Sequence, residues 1–154
     1  MEFLRFKHAR FSARFPASYH YSRSHYWMAP SPDDPAVWRV GFTKFATRML
    51  GELVEAQFTV PLGAPVEPGQ EIGAVEGFKA AASVFSVMHG SFAGLNPALS
   101  ADACLVKSDP YEVGWLYAVR GRPEEEALSA EAYLALLHET IARMAAAEHA
   151  AEDV

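Results

Sequence analysis

Hydrophobic positions along the chain repeat first with the period of strands and at the end with the period of a helix. Phe11, Ala13 and Phe15 alternate with Ser12 and Arg14, the pattern of a half-buried strand. Residues 26–28 and 37–42 are rich in aromatic and β-branched residues and read as two more strands. Between them, Pro30-Ser31-Pro32-Asp33-Asp34-Pro35 excludes helix, because proline lacks a backbone donor and restricts the residue before it. Residues 43–50 predict a short helix with Thr43 as N-cap and Gly51 as its stop. Phe45, Met49 and Leu50 are expected inward, with Lys44 and Arg48 paired outside. Strand-like runs follow at 53–60, 71–77, 82–88 and 115–119.

From 129 to 150 there is no Gly or Pro. Tyr133, Leu136, Leu137, Ile141 and Met144 recur there at helical spacing, predicting one helix docked by a single stripe. Ser129 is its expected N-cap, Glu131 suits the first turn, and the tail beyond Ala150 is expected to fray. Many short strands with frequent turns, and no regular alternation of strand with long helix, indicate an all-β barrel or sandwich with peripheral helices.

Composition narrows the function classes. The 154 residues, 51% hydrophobic, suit one domain with a real core. No apolar run approaches the roughly 20 residues that span a bilayer, so no membrane partner is expected. A net charge of -6 provides no surplus for neutralising phosphates, which argues against nucleic acid. The charge is uneven, since Arg5, Lys7, Arg10, Arg14 and Arg23 face only Glu2 near the N-terminus. That stretch has the composition of a mitochondrial transit sequence, but its alternation suits a folded basic extension as well. Cys104 is the single cysteine, so no internal disulfide forms and a reducing compartment fits. It is expected as a small buried residue. The location expected is the cytoplasm, or the mitochondrial matrix in a eukaryote. His138 and His149 lack metal-ligand spacing, His25 beside Trp27 is expected as a packed strand histidine, and no cluster suggests a metal.

The chemically informative segment runs from Val66 through Pro68-Gly69, Ile72, Val75-Glu76-Gly77-Phe78 to Lys79-Ala80. Pro68-Gly69 is a turn, 72–76 enters a strand, and 77–80 turns the chain back. Lys79 is thereby placed at or near a hairpin tip, where a modifying enzyme reaches the amine and a prosthetic arm can swing. Anchoring in a sheet makes such a site more exact than a loop would. A lysine at a turn is ordinarily only solvated; its surroundings give this one weight.

Val-x-x-Gly-x-x-Ile-x-x-Val-Glu-x-x-Lys-Ala, continued by Val87-Met88-His89-Gly90-Ser91-Phe92, resembles the lipoyl and biotinyl carriers. Biotin carriers typically flank the lysine with methionines; Phe78, Ala80 and Glu76 look like the lipoyl type. The resemblance extends to the glycine cleavage H protein family. It is carried by Ser24-His25-Tyr26-Trp27, by Val40-Gly41-Phe42-Thr43-Lys44-Phe45-Ala46 with Leu50-Gly51-Glu52, by Asn96-Pro97-Ala98-Leu99, and by Asp109-Pro110-Tyr111-Glu112-Val113-Gly114-Trp115. It implies a lipoyl/biotinyl-carrier barrel-sandwich hybrid with a C-terminal helix. The division expected is a basic extension at 1–20, the carrier at 21–128 and the helix at 129–151 packed on it. It also implies lipoate in amide linkage on Lys79, with Glu76 read during lipoylation and Gly77, Phe78 and Ala80 flanking the site. The implied partners are a lipoate ligase or octanoyltransferase, a glycine decarboxylase, an aminomethyltransferase and a dihydrolipoyl dehydrogenase. Such a carrier has no catalytic site of its own; the cofactor supplies the chemistry.

Some family positions differ. Tyr26 stands where Glu is usual, Lys44 and Ser83 where Asp is usual, and Met49 at a position that is often polar. Gly77-Phe78 stands where Ser-Val is common. Ordinary drift explains this on one reading. On a second, the carrier serves another lipoate-dependent pathway, such as lipoyl relay or sulfur metabolism. A third makes the chain a non-lipoylated interaction module with Lys79 merely solvated.

Overall fold

One strand with no solvent-facing side organises the architecture. The computed structural model describes residues 1–152. The strands are β1 Phe3–His8, β2 Phe11–Pro16, β3 His20–Tyr21, β4 Tyr26–Pro30, β5 Val37–Phe42, β6 Leu53–Phe58, β7 Pro65–Val66, β8 Glu71–Gly77, β9 Ala81–Phe85, β10 Met88–Leu95 and β11 Tyr117–Pro123. The helices are α1 Lys44–Leu50, α2 Ala98–Ala101, α3 Leu105–Ser108 and α4 Ala130–Glu152. Six strands form one sheet in the order β3-β4-β5-β11-β10-β7; β6, β8 and β9 form a second; β1 and β2 form a separate hairpin. Each of these pairings is antiparallel.

The two larger sheets enclose a core that includes Met28, Val40, Ile72, Val75, Val84, Met88, Leu116 and Tyr117. A second core lies between the β1–β2 hairpin and α4, with Phe6, Phe11, Phe15, Tyr21, Trp27, Tyr133 and Leu137. β4 feeds both. Because successive side chains leave a strand on opposite faces, Tyr26 and Met28 enter the first core while Trp27 and Ala29 enter the second. The Trp27 indole donates from Nε1 to Pro110 O at 2.8 Å, so the buried ring keeps no unpaired donor. This is a lipoyl-carrier barrel-sandwich fold with peripheral helices and a long C-terminal helix.

Strand and helix patterns translate closely. Thr43 caps α1 through its hydroxyl, Gly51 ends it at φ +76°, and β5 and β8 occupy the expected residues. The run expected as one strand at 82–88 is two, because Ser86 turns its hydroxyl onto both backbone groups of Met88. Met49 points outward rather than into the core: the buried side of α1 is Phe45, Thr47 and Leu50. Lys44 and Arg48 do not pair. Lys44 reaches the carbonyl of Lys107 at 2.8 Å, and the Arg48 guanidinium lies over the Phe11 ring. Cys104 is exposed, since it opens α3 in a turn after Asp102 rather than lying in packed structure. His25 sits in a turn at φ +73°, not in a strand, and His138 packs on Phe6 with its Nδ1 2.9 Å from that of His8. α4 continues through Glu152; the rest of the tail expected to fray lies outside the described residues. No helix among the described residues is long and apolar enough to cross a membrane.

Tyr133 is the hub of the second core. Its ring stacks on Tyr21 with centroids 4.8 Å apart, and its hydroxyl shares hydrogen bonds with His25 Nδ1 and Thr43 Oγ1 at 2.8 and 2.9 Å. Burial lowers the His25 pKa and raises that of Tyr133, so both stay neutral at physiological pH. Tyr133→Ala and Leu137→Ala are expected to destabilise the protein by about 2–5 kcal/mol each, the range for large-to-small changes in a packed core. Thermal or denaturant melts check this; a change under about 1 kcal/mol for either would mean that α4 contributes little to the body.

Candidate functional site

β8 and β9 meet at a turn of Phe78, Lys79 and Ala80, and the strand register puts Glu76 opposite Ala81. Three backbone hydrogen bonds hold that turn. Gly77 N donates to Ala80 O at 2.8 Å, closing the hairpin. Phe78 N donates to Glu52 O and Lys79 N to Leu50 O, each at 3.0 Å, tying the tip to the end of α1 and the start of β6. A tip anchored this way is a fixed post for its side chain.

Gly77 and Gly51 make the close approach feasible. A Cβ on Gly77 would overlap the carbonyl oxygen of Leu50, the same oxygen that accepts from Lys79. A Cβ on Gly51 would meet Lys79 Cγ at 3.0 Å, and its positive φ disfavours any L side chain.

Lys79 itself is exposed, and its Nζ donates to Arg48 O at 3.1 Å at the C-terminal end of α1. Phe78 is 77% exposed beside it, an unusual position for a large aromatic group. Glu76 is exposed on β8, three residues before the lysine, while Ala80 is exposed and supplies the carbonyl that closes the turn. The residues expected from sequence are therefore contiguous at one corner of the three-stranded sheet. Sequence reasoning did not single out the carbonyls of Arg48, Leu50 and Glu52 as parts of the site. The Leu50-Gly51-Glu52 motif was the available signal, but a motif does not show which backbone oxygens it lends to a neighbour.

The divergent positions are dispersed rather than gathered at the tip. Tyr26 is buried and stacked on Phe42, and its hydroxyl accepts from Phe85 N at 3.1 Å. It fills the sandwich. Lys44 is held by α3, its pKa lowered by partial burial and then by Lys107. Ser83 is half-buried on β9 opposite Ala74, and Met49 is exposed on α1. None of the four brings a carboxylate to the neighbourhood of Lys79.

A sandwich of antiparallel sheets that presents one lysine on a pinned hairpin is the build of a carrier domain of the lipoyl type. Comparison with known proteins agrees on the family. The family model described as glycine cleavage H-protein matches residues 19–140. The glycine cleavage system H protein of an Enterobacter species is 35% identical over 125 residues, covering 79% of this chain and 95% of that protein. That of Coxiella burnetii is 36% identical over 128 residues, covering 81% and 96%. The crystal structure of a glycine cleavage system H protein from Mycobacterium marinum superposes with a TM-score of 0.67 at 32% identity, covering 77% of this chain and 95% of that one. The chain belongs to the glycine cleavage H-protein family.

The residues present fit the prosthetic group of such carriers. An acyl amide needs a reachable amine on a rigid support, and Lys79 has both. An amide N–H retains one donor for Arg48 O, so acylation leaves no newly orphaned backbone group at that contact.

Two substitutions separate the side chain from its support. Lys79→Ala should change stability by no more than about 0.5 kcal/mol, as an exposed position usually does. Gly77→Ala should cost about 1–3 kcal/mol, because backbone must move to admit the methyl group. It should also speed hydrogen exchange at the Lys79 amide by parting it from Leu50 O. Melts and exchange-detected NMR measure the two effects. An unfolded Lys79→Ala protein, or a Gly77→Ala protein with an unchanged Lys79 amide, would refute this account of the tip.

Proposed function

We propose that this protein is a lipoyl carrier of the glycine cleavage type. Lys79 receives lipoate from a lipoate ligase or an octanoyltransferase, with Glu76 and the Gly77-Phe78 and Ala80 neighbours presented to that enzyme. The carrier body is residues 21–128, with the basic extension 1–20 and the helix 129–151 packed on it. The loaded carrier shuttles an aminomethyl group from a glycine decarboxylase to an aminomethyltransferase, and a dihydrolipoyl dehydrogenase restores the disulfide. When attached, lipoate supplies a disulfide that opens to two thiols and holds the transferred unit. The protein contributes position: an exposed amine on a hairpin whose backbone is fixed to α1 lets successive partners find the arm from one origin. That anchored, exposed amine is the observation that carries the reading.

The first test is chemical. After co-expression with a lipoate ligase and lipoate, peptide mapping should place the mass increase on Lys79 and leave Lys7, Lys44 and Lys107 unmodified. Lys44 is already engaged with a carbonyl, and none of the three follows a glutamate on a hairpin. An unmodified Lys79, under conditions that load another H protein, would end the carrier reading.

A second reading, in which the carrier serves a different lipoate-dependent pathway, is favoured by one observation. Tyr26, Lys44, Met49 and Ser83 supply no carboxylate to a cationic aminomethyl arm. Losing one carboxylate about 4 Å from a cation forfeits about 1–4 kcal/mol at effective dielectrics of 80 to 20, before solvation is counted. Lipoylated protein should therefore exchange the glycine carboxyl carbon with bicarbonate more slowly than a relative of equal loading, using the same glycine decarboxylase. Ser83→Asp should restore part of the deficit, whereas Tyr26→Glu should not fold well, because it buries a charge in the sandwich. Equal rates for the two carriers would remove the second reading.

A further inference from the structure

The face of the β1–β2 hairpin that points away from the body is cationic. Phe6, Phe11 and Phe15 are buried beneath it, so strand alternation turns Arg5, Lys7 and Arg14 to water, and Arg10 is exposed at the turn. The antiparallel register sets Arg5 directly opposite Arg14. Like charges in that position destabilise a strand pair. Arg14 is turned onto the Phe3 ring, 4.5 Å from its centre, and borders a groove that Asp109 and Glu112 also line. Arg5 and Lys7 have no such company: no carboxylate among the described residues lies within ion-pair distance of either. β1 is also open at one side. It pairs with β2 alone, and no hydrogen bond among the described residues reaches its outer edge. The hairpin precedes the 19–140 segment matched by the family model, so it is an addition to the shared fold.

From this open edge and its unpaired cations we infer that β1 docks an extended acidic segment of another protein, which adds beside it as a further strand. An added strand lies about 5 Å from β1 with its side chains in line with those of β1. Carboxylates at its alternate positions then fall beside Arg5 and Lys7, which are themselves about 7 Å apart along β1. The side chains between them turn toward Leu4, Phe6 and His8, where apolar groups fit. Charge on an edge strand ordinarily keeps other strands away. Cations do so against basic or neutral strands and attract acidic ones. A nucleic acid fits less well, because its phosphates continue beyond the hairpin onto a chain whose net charge is -6. A bilayer surface calls for free apolar side chains beside the cations, and Phe3 on this face is already covered by Arg14. The position gives docking a use. Phe11, next to the hairpin turn, packs on Phe45 of α1 and carries the Arg48 guanidinium, while the Arg48 carbonyl holds Lys79 Nζ. A protein anchored on β1 is thereby kept beside the Lys79 corner, whatever that lysine carries.

The test titrates blocked peptides into the nitrogen-15-labelled full chain. With Glu-Val-Glu-Val-Glu-Val, the amides of residues 3–8 should shift and exchange more slowly, and binding should weaken as salt is raised. Val-Val-Val-Glu-Glu-Glu has the same charge without the alternation and should bind several-fold more weakly. Arg5→Glu/Lys7→Glu protein, checked by a melt, should bind the alternating acidic peptide about tenfold more weakly or worse. It should instead take Lys-Val-Lys-Val-Lys-Val. Three results overturn the inference: no change along β1, equal binding of the two acidic peptides, or undiminished binding by the charge-reversed protein. Tighter binding of hexathymidylate or of phosphatidylserine vesicles than of the alternating peptide also overturns it and assigns the face to phosphate. If the charge-reversed protein unfolds, the comparison of peptides and phosphates on the unaltered chain still decides. None of these readings requires an acyl group on Lys79, so failure here and failure of the carrier reading are separate results.

Discussion

Two backbone hydrogen bonds, from Phe78 to Glu52 and from Lys79 to Leu50, fix the hairpin tip on which the candidate site is built. They convert a hairpin tip, ordinarily among the more mobile parts of a fold, into an extension of α1. The placement of α1 depends in turn on its own ties. Thr43 caps the helix and shares a hydrogen bond with Tyr133, and Phe45 is buried in the core beneath the hairpin. The position of the lysine is thus traceable, contact by contact, to the packing of α4 on the far side of the six-stranded sheet.

That dependence exists because β4 is buried on both faces. A strand of a two-layer sandwich normally alternates apolar and polar residues, yet Tyr26, Trp27, Met28 and Ala29 are all covered. The second cover is built by β1, β2 and α4, whose aromatic residues meet mostly edge to face, as with Phe6 and Phe15 or Phe15 and Tyr133. Polar groups inside this layer are hydrogen-bonded to one another, as at Tyr133, His25 and Thr43, and no buried side-chain polar atom among the described residues lacks a partner. The added layer encloses Trp27 and Tyr111 and gives α1 a second surface to lean on.

Most of the fold was legible because strand alternation and helix capping are local. Val37–Phe42, Glu71–Gly77 and the α1 caps are fixed by residues within a few positions of one another. What escaped depends on distant partners. The break at Ser86 arises from one hydroxyl serving Met88, and no periodicity announces it. Met49 has the spacing of a buried residue but faces the gap left between β2 and α4, a gap that only the tertiary arrangement creates. Tyr26 stands at a family position where Glu is usual, and strand alternation turns it into the sandwich, where an aromatic ring fits. The lysine and its flanking residues were visible as a motif, whereas the carbonyls that hold them belong to a separate stretch and carry no side-chain signature.

The contact between Lys79 Nζ and the Arg48 carbonyl bears on what acylation of that amine would do to the body. A cation at the end of a helix offsets the partial negative charge of the last carbonyls, by about 0.3–1 kcal/mol at an exposed position. Acylating the amine removes that charge and leaves a single donor, so the modified chain holds α1 slightly less firmly than the bare one. The difference is small beside the stability of a domain. The body would therefore be nearly blind to an acyl group on Lys79. On the carrier reading proposed above, a partner that must tell a loaded protein from an empty one would find little record of it in the scaffold and would have to inspect the arm.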